Sequence, residues 1–574
     1  MAKCIYIYSK EKFSPSIEKV ISHICAKIAP DNIIPLSPKI VVNSNIAYGI
    51  VNPTNTILTT GNCILMGNII GDDTNWFLPL QNFPDGSFAL FRDGEEYLEI
   101  VSDSVASRTI WYFMNDDIFV ASTSQRAIIL FIGGYEFNEM VIPWMLSNGN
   151  LGPMLSWDKR INCLSPDSSV TLNKINWAIN IKSNPIEFIE NKASDESHER
   201  NLREVLYSTF KSLKLNYSDW VLTLSGGIDS RGVLCLLKDS KQDEEDLKSV
   251  TWGLQTSLNE EKNDAYVAQE LANKYKMSHK YLLTDLCEEP IEQVVNRFLL
   301  NGEGRTDELS GYMDGFKIWK TLFEEGIQGI IRGDEGFGCK QYSSSRIARM
   351  NQDCALYSDF SNLKDYPKYG LPPQKLPQNL MQSKGESQSS YRDRLFHQHA
   401  LPTEFAALSD LKLSYVEVIN PLLSKSILKQ VRQLPDHLRS EKLLFKKIVM
   451  DISADIKFAT QRADASPTNI LMENQFVNLM RNELNSIDAR VLFPDDFLEF
   501  VLKGIRSENR GAAIRVNSPS LKTRINKLVP RFLKNILREK YFLHTIDPNV
   551  LAFRVFLIVR MNKIFLNDSS LNEI

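Results

Sequence analysis

The sequence predicts an α/β protein: a β-rich α+β N-terminal part, residues 1-190, followed by a parallel-sheet α/β part with a helical C-terminal region, residues 198-574. Three observations predict this. Short apolar runs separated by turn residues fill the chain to about residue 185, a polar stretch follows near 190–197, and beyond it strand-like and helix-like patterns alternate.

In the first part, Ser87-Phe88-Ala89-Leu90-Phe91, Tyr97-Leu98-Glu99-Ile100-Val101 and Ile118-Phe119-Val120-Ala121-Ser122 read as strands. Pro84-Asp85-Gly86 and Asn115-Asp116-Asp117 read as the turns between such runs. Glu190 to Ser197 is the linker, and Glu199 to Leu215 has the spacing of an amphipathic helix. Val221 to Leu224 is a short apolar run of buried-strand type, and Arg231 to Lys238 is the helix after it. Ser249 to Leu254, His279 to Leu283 and Gly329 to Ile331 continue the strands, with a helical pattern over Glu260 to Tyr275. Alternation of this kind implies a parallel sheet covered by helices, with ligands at the C-terminal ends of its strands. From about residue 340 the pattern is mainly helical. A Gln/Ser/Lys-rich stretch near 374–392 reads as a loop that could cover a longer substrate.

The bulk numbers bound the function. With 574 residues, 43% apolar, 24% charged and a net charge of −4, the chain is an ordinary multidomain globular protein, and nothing in its overall charge calls for nucleic acid. No apolar run approaches the ~18 residues of a membrane span. The opening Met1 to Tyr8 alternates like a strand and lacks the apolar core of a signal peptide. Eight cysteines without a Cys-x-x-Cys pair suggest neither a disulfide framework nor a zinc ribbon. A cytoplasmic protein with no membrane partner is expected.

The most informative segment is Leu224-Ser225-Gly226-Gly227-Ile228-Asp229-Ser230, between the apolar strand and its helix. A turn of this composition lets backbone N–H groups close around an oxyanion at a helix N-terminus, where the dipole favours negative charge. The glycines permit close approach, the serines add hydroxyl donors, and Asp229 is a candidate ligand for a hard cation. No Gly-Lys-Ser/Thr ends the loop, so it is a polyphosphate site of a type other than Walker A.

SGGIDS resembles the PP-loop of ATP pyrophosphatases, and the order of parts resembles the asparagine synthetase B family. About a hundred residues after the loop, Gly333-Asp334-Glu335-Gly336-Phe337-Gly338 is similar to the family's Gly-x-Gly-x-Asp-Glu-x-Phe-Gly-Gly-Tyr segment. Glu417 to Leu423 is similar to its Glu-x-Arg-x-Pro-Phe-Leu segment, and Glu441 to Lys447 to its Glu-Lys-x-x-Leu-Arg helix. Asp85 to Leu90 and Ser102 to Tyr112 resemble the core of the family's glutaminase domain. The resemblance implies a glutaminase-like (Ntn-type) first domain and a PP-loop synthetase second domain. It further implies ATP and Mg2+ as cofactors, with Leu224, Ser225, Gly226, Gly227, Asp229, Ser230, Trp252, Gly253 and Gly333 at the nucleotide. Asp229 and Asp334 are implied as metal ligands, and Lys442, Arg462 and Glu335 as catalytic groups.

The chain departs from the family in three places. Glutamine-hydrolysing members carry Cys at position 2, and this chain has Ala2, so the first domain is expected to be a degenerate glutaminase. Ile331 stands where asparagine synthetases have Glu. Gln461 and Ala463 fall where the family has Arg-x-Lys, leaving Arg462 or Lys457 to supply the cation. Lys446, four residues beyond Lys442, is equally consistent with a phosphate contact and a solvated face. Trp252 could flank adenine or belong to the core. Thr306-Asp307-Glu308 and Tyr312-Met313-Asp314 read as surface helix capping or, alternatively, as lining of the acceptor pocket, and His279 as structural. Between Lys503 and Lys540 eleven Lys/Arg face two Glu, which fits an acidic partner or solvated helices alike.

The expected activity is an AMP-forming amide ligase that adenylates a carboxylate and couples it to an amine. Loss of the glutaminase with retention of the ATP site resembles the lasso-peptide cyclases and β-lactam synthetases. This branch implies lactam ring closure of a peptide or small amino-acid-derived substrate, with a precursor-peptide protease as a partner and without nucleic acid. Ammonia-dependent amidation of a metabolite or sugar acid is the alternative, and an RNA-modifying PP-loop enzyme a more distant one.

Overall fold

The computed structural model describes residues 3–240, 247–285, 287–342, 344–463, 470–507 and 544–570. Ala2 and most of the basic segment 503–540 lie outside the described residues.

The fold class is the α/β one anticipated from the sequence. Two antiparallel sheets come first. One runs in the order β10 (Asn162–Cys163), β8 (Trp111–Met114), β9 (Ile118–Ser122), β1 (Cys4–Ser9), β3 (Ile46–Ile50), β2 (Lys39–Val42). The other runs β12 (Ala178–Ser183), β11 (Ser168–Asn173), β7 (Tyr97–Ser102), β6 (Gly86–Asp93), β5 (Cys63–Ile69), β4 (Leu58–Thr60). Alternation along β1 decides its two faces. Cys4 and Tyr6 enter the core between the sheets, where Tyr6 stacks on Tyr48 and Phe91 at 5.9 and 5.5 Å. Ile5 and Ile7 face the other way, toward the helices α1 (Ile17–Ile28), α2 (Gln125–Ile132) and α3 (Val141–Asn148). Here α1 crosses so close to β3 that a Cβ at Gly49 would lie 2.4 Å from Ile21 Cγ2.

After α4 (Asp195–Lys211) comes a five-stranded parallel sheet. Its order is β15 (His279–Leu283), β14 (Lys248–Gly253), β13 (Trp220–Thr223), β16 (Gly329–Ile331), β17 (Glu417–Ile419). Both faces are covered, and neighbouring residues go to opposite cores. Leu222, Ile331 and Ile419 pack under α4, α5 (Ile228–Asp239) and the helix Leu443–Ile452. Val221, Val250, Ile330 and Val418 pack on the other side with Phe298, Trp319 and Leu411. The near-continuous apolar character of these strands reflects burial on two faces.

Two details differ from the sequence reading. The stretch 374–392 is a folded segment, with Leu376 and Leu380 buried. Arg394 pins it through Glu386 and the carbonyls of Asn379 and Met381, at 2.6 to 2.8 Å. The last described helix, Pro548–Ser569, returns to the first part of the chain and packs on α2 and α3, with Arg126 forked onto Asp568. That helix is mostly buried, and no helix among the described residues is long and apolar enough to cross a membrane.

Polar links tie the antiparallel layers to the parallel sheet. Arg108 pairs with Glu417 of β17, with both side chains almost fully buried, and Arg305 pairs with Asp410 while donating to Thr109 Oγ1 at 2.7 Å. Asp85 accepts from the backbone of Lys425 and Ser426 at 2.6 and 2.9 Å, capping the helix Lys425–Val431. Removing one member of a buried pair strands the other charge. Glu417→Ala should therefore lower unfolding free energy by about 3–5 kcal/mol. The apolar double replacement Arg108→Met with Glu417→Leu should recover most of that loss, as read from urea midpoints.

Candidate active site

The SGGIDS loop leaves the central strand β13 and enters α5. Gly227, in extended conformation, is the N-cap of α5 and offers no side-chain cap. The first-turn N–H groups of a helix have no intrahelical partners, so here they form a positive end at the sheet's C-terminal edge. The loop braces itself through its serines: Ser225 N–H donates to Ser230 Oγ at 3.1 Å, and the two hydroxyl oxygens are 2.9 Å apart. Gly226 N–H donates to Asp264 Oδ1 at 3.0 Å, and a Cβ at Gly226 would lie 2.4 Å from Ala459 Cβ. Only glycine fits between those neighbours.

The second motif arrives from β16, which pairs directly with β13. A Cβ at Gly333 would lie 2.9 Å from Ser230 N, so a side chain there would press into the first turn of α5. The two loops enclose a cleft of about 290 Å³ whose wall includes Leu224, Ser225, Asp229, Ser230, Trp252 and Gly333. Thr251, Asp264, Arg332, Asp334 and Ala463 also line it.

Lys442 organises the charge at the cleft. Its Nζ lies 2.8 Å from Asp229 Oδ2 and 2.7 Å from Glu335 Oε1. Burial alone would lower the lysine pKa, but the Glu335 and Asp229 carboxylates outweigh it and hold it above its ordinary value. Burial pushes Glu335 up to about 7, against the pull of Lys442 and with the help of Asp229. Lys442 is not on a helix face with Lys446, as its spacing suggested. It precedes the helix Leu443–Ile452 with φ +61°, following Glu441 at φ +57°, and this left-handed pair turns it back toward the loop.

The two implied metal ligands are placed differently. Asp229 Oδ1 is buried with no hydrogen-bond partner among the described residues, an oxygen free for a hard cation. Asp334 is engaged: Arg332 Nε and Nη2 reach its two oxygens at 2.9 and 3.0 Å. Burial would raise its pKa, yet Arg332 holds it below the ordinary value, with Lys412 and Asn420 assisting. Of the two, Asp229 keeps an oxygen open to a cation, and Asp334 serves as the anchor of Arg332.

That cation was missed in the sequence. Arg332 is the single basic side chain among the residues lining the cleft. The available signal was its place in the segment similar to Gly-x-Gly-x-Asp-Glu, where it stands at a glycine. Ile331, the more conspicuous departure, is fully buried in the sheet core and does not line the cleft. Arg462 is exposed, with its carbonyl accepting from Asn263 Nδ2 at 3.0 Å, and Lys457 is exposed as well. Neither lines the cleft. Trp252 does line it, held edge-to-face by Trp319 at 5.3 Å. Gly253 instead accommodates the passing chain, since a Cβ there would lie 2.3 Å from Ala463 Cβ and 2.6 Å from Tyr281 Oη.

Several other sequence candidates have structural partners. Asp314 caps the turn into the helix Lys317–Glu324 through the N–H groups of Phe316 and Ile318, and His279 bonds Ser249 at 2.9 Å. Asp307 does not cap a helix but pairs with Arg554 at 2.6 Å, and Thr306 donates to Glu404 at 2.7 Å. Cys4 is buried between the antiparallel sheets, and burial pushes its thiol well above the ordinary range, which rules it out as a nucleophile.

The raised Glu335 carboxyl predicts a pH dependence. Between the ordinary carboxyl pKa of about 4.3 and about 7, the folded state holds a proton that the unfolded state has lost. Stability therefore falls as pH rises through that window, whereas the lysine contribution is lost only above the ordinary lysine range. Glu335→Gln should gain stability relative to the wild type between pH 5 and 8, checked by urea midpoints at both pH values.

Residues 201–299 match the family model described as asparagine synthase. No curated protein sequence matches the chain. Among solved structures, similarity is recorded to a U34-tRNA thiolase from Methanococcus maripaludis with its [4Fe-4S] cluster. Identity is 12%, the TM-score is 0.23, and 58% of this chain and 94% of that one are covered. A glutamine phosphoribosylpyrophosphate amidotransferase from B. subtilis, complexed with ADP and GMP, is 9% identical with a TM-score of 0.20, covering 58% and 90%. A structure described as the allosteric regulatory enzyme of purine biosynthesis is 11% identical with a TM-score of 0.21, covering 62% and 78%. At such scores the assignment rests on the sequence match. The match over residues 201–299 is to asparagine synthase and indicates an ATP-dependent carbon–nitrogen ligase.

Proposed function

We propose that this ligase cleaves ATP to AMP and pyrophosphate and closes a lactam ring on a peptide or small amino-acid-derived substrate. The observation that carries the nucleotide half is the uncapped first turn of α5 beside the unpartnered Oδ1 of Asp229. The first-turn N–H groups of α5 and the hydroxyls of Ser225 and Ser230 suit the β- and γ-phosphates. Trp252 offers an apolar wall for the base. Asp229 would hold Mg2+, which when bound would offset phosphate charge.

The substrate carboxylate oxygen attacks the α-phosphorus, and the bond to the bridging oxygen breaks, releasing pyrophosphate. The amine nitrogen then attacks the acyl carbon, forming C–N and breaking C–O, so that AMP leaves and the nitrogen loses its proton. Lys442 is suited to follow the negative charge onto the departing pyrophosphate, because it already bridges Asp229 and Glu335 beside the loop. Arg332, tethered to Asp334, is suited to the charge that remains on the α-phosphate. It takes the place of the lysine absent from Gln461-Arg462-Ala463.

The products test this half. AMP and pyrophosphate are expected, and Asp229→Ala should lower turnover by at least ~10²-fold, the scale for loss of a group that stabilises transition-state charge. ADP with orthophosphate would reject the reading.

The first part of the chain bears on the nitrogen source. Ala2 cannot supply a thiol, and Cys4 is sealed in the core. An amine tethered to the activated carboxylate reaches effective molarities of ~10⁵ M or more, so it needs no generated ammonia. The expected product is one substrate molecule lighter by ~18 Da, the water lost on ring closure. Mass spectrometry with ¹⁵N-ammonium and ¹⁵N-amide glutamine checks it. Heavy nitrogen entering from ammonium would replace ring closure by ammonia-dependent amidation of a metabolite, and entry from glutamine would restore a glutaminase.

A further inference from the structure

A groove of about 730 Å³ lies between residues 184–191 and the helix Lys425–Val431. Lys425, Lys429 and Arg432 line one wall and Glu187 and Glu190 the other. Lys425 pairs with Asp167 at 2.8 Å, while Lys429 is exposed without an ion pair among the described residues.

Arg432 is the unusual member. It forms no ion pair among the described residues; its Nε donates to His397 Nδ1 at 3.2 Å, and its Nη2 is buried with no acceptor. Burial pulls the guanidinium down to about 10, only partly opposed by Asp167. A half-buried guanidinium with one N–H on a neutral imidazole and Nη2 buried without an acceptor among the described residues is costly unless a further acceptor arrives. The fork of an arginine matches a carboxylate. His397 carries the contact inward, its Nε2 donating to Gly336 O at 2.9 Å, next to Glu335.

We propose that this groove binds an extended peptide segment through a carboxylate seated on Arg432. Glu187 and Glu190 repel a polyphosphate or nucleic acid and accept a basic residue elsewhere in the same segment. Ile189, 67% exposed on the same wall as Glu187, adds an apolar contact for a side chain. The site does not depend on nucleotide chemistry, so its failure would leave the AMP-forming reading untouched.

The test uses the full chain without nucleotide. Calorimetric titration compares acetyl-Lys-Gly-Leu-Asp-amide with its Asn counterpart. The acid peptide should bind about tenfold more tightly than the amide form, the scale of one charge-assisted hydrogen bond. In Arg432→Gln, with folding checked by circular dichroism, that ratio should fall to about one. Lys429→Gln, at an exposed position that leaves the fold intact, should reduce it by roughly two- to threefold. Equal binding of the two peptides by the wild type, or absence of binding by both, overturns the proposal. So does a ratio unchanged in Arg432→Gln and Lys429→Gln. Displacement of the peptide by an equal concentration of inorganic phosphate overturns the carboxylate assignment.

Discussion

The direct pairing of β13 with β16 is the constraint on which the cleft depends. These strands are separated by about a hundred residues of chain, yet Leu222 and Ile331 sit opposite each other in the register. The turns that follow them must then meet at the same edge. Gly333 comes to rest against Ser230 with no room for a side chain, and this contact forms the wall of the cleft. Burial of both sheet faces locks that register, because a one-residue slip would exchange the two apolar cores.

The charges at the cleft form a set of ion pairs that a polyphosphate would re-sort. Lys442 bridges Asp229 and Glu335, and Arg332 pairs with Asp334. Each cation is thus held beside the loop at the cost of a carboxylate that must keep it there. The left-handed pair Glu441-Lys442 shows how much local geometry is given to this placement, since two consecutive non-glycine residues occupy a sparsely populated region. A lysine one turn further along the helix could not make both contacts.

The first part of the chain is attached to the second by polar as well as apolar contacts. Arg108–Glu417 and the Arg305–Thr109 hydrogen bond cross from the antiparallel layers to the second part of the chain, and the helix Pro548–Ser569 returns to α2 and α3. Such pairs specify one docking geometry because a misplaced partner leaves a buried charge unpaired. They fix the region of β17 from which Asn420 reaches Asp334.

Much of the fold and the core of the site were legible in the sequence because both depend on local or periodic features. The β6, β7 and β9 strands follow from apolar runs between turns, the parallel sheet from two-sided apolar strands, and the anion site from SGGIDS at a strand-to-helix junction. Asp229, Ser225 and Ser230 could be named from that loop, and Lys442 from the segment similar to the family's Glu-Lys helix. Tertiary structure decided what depends on distance in space. It drew Arg332 onto Asp334, exposed Arg462, and assigned Gly253 to the passage of the 459–463 chain. It also buried Ile331, because alternate residues of β16 face opposite cores. The stretch 374–392 read as a loop from its polar composition, and it folds because Arg394 satisfies its carbonyls. No composition or spacing encodes such pairings, since each is chosen only when strands remote in sequence have been placed side by side.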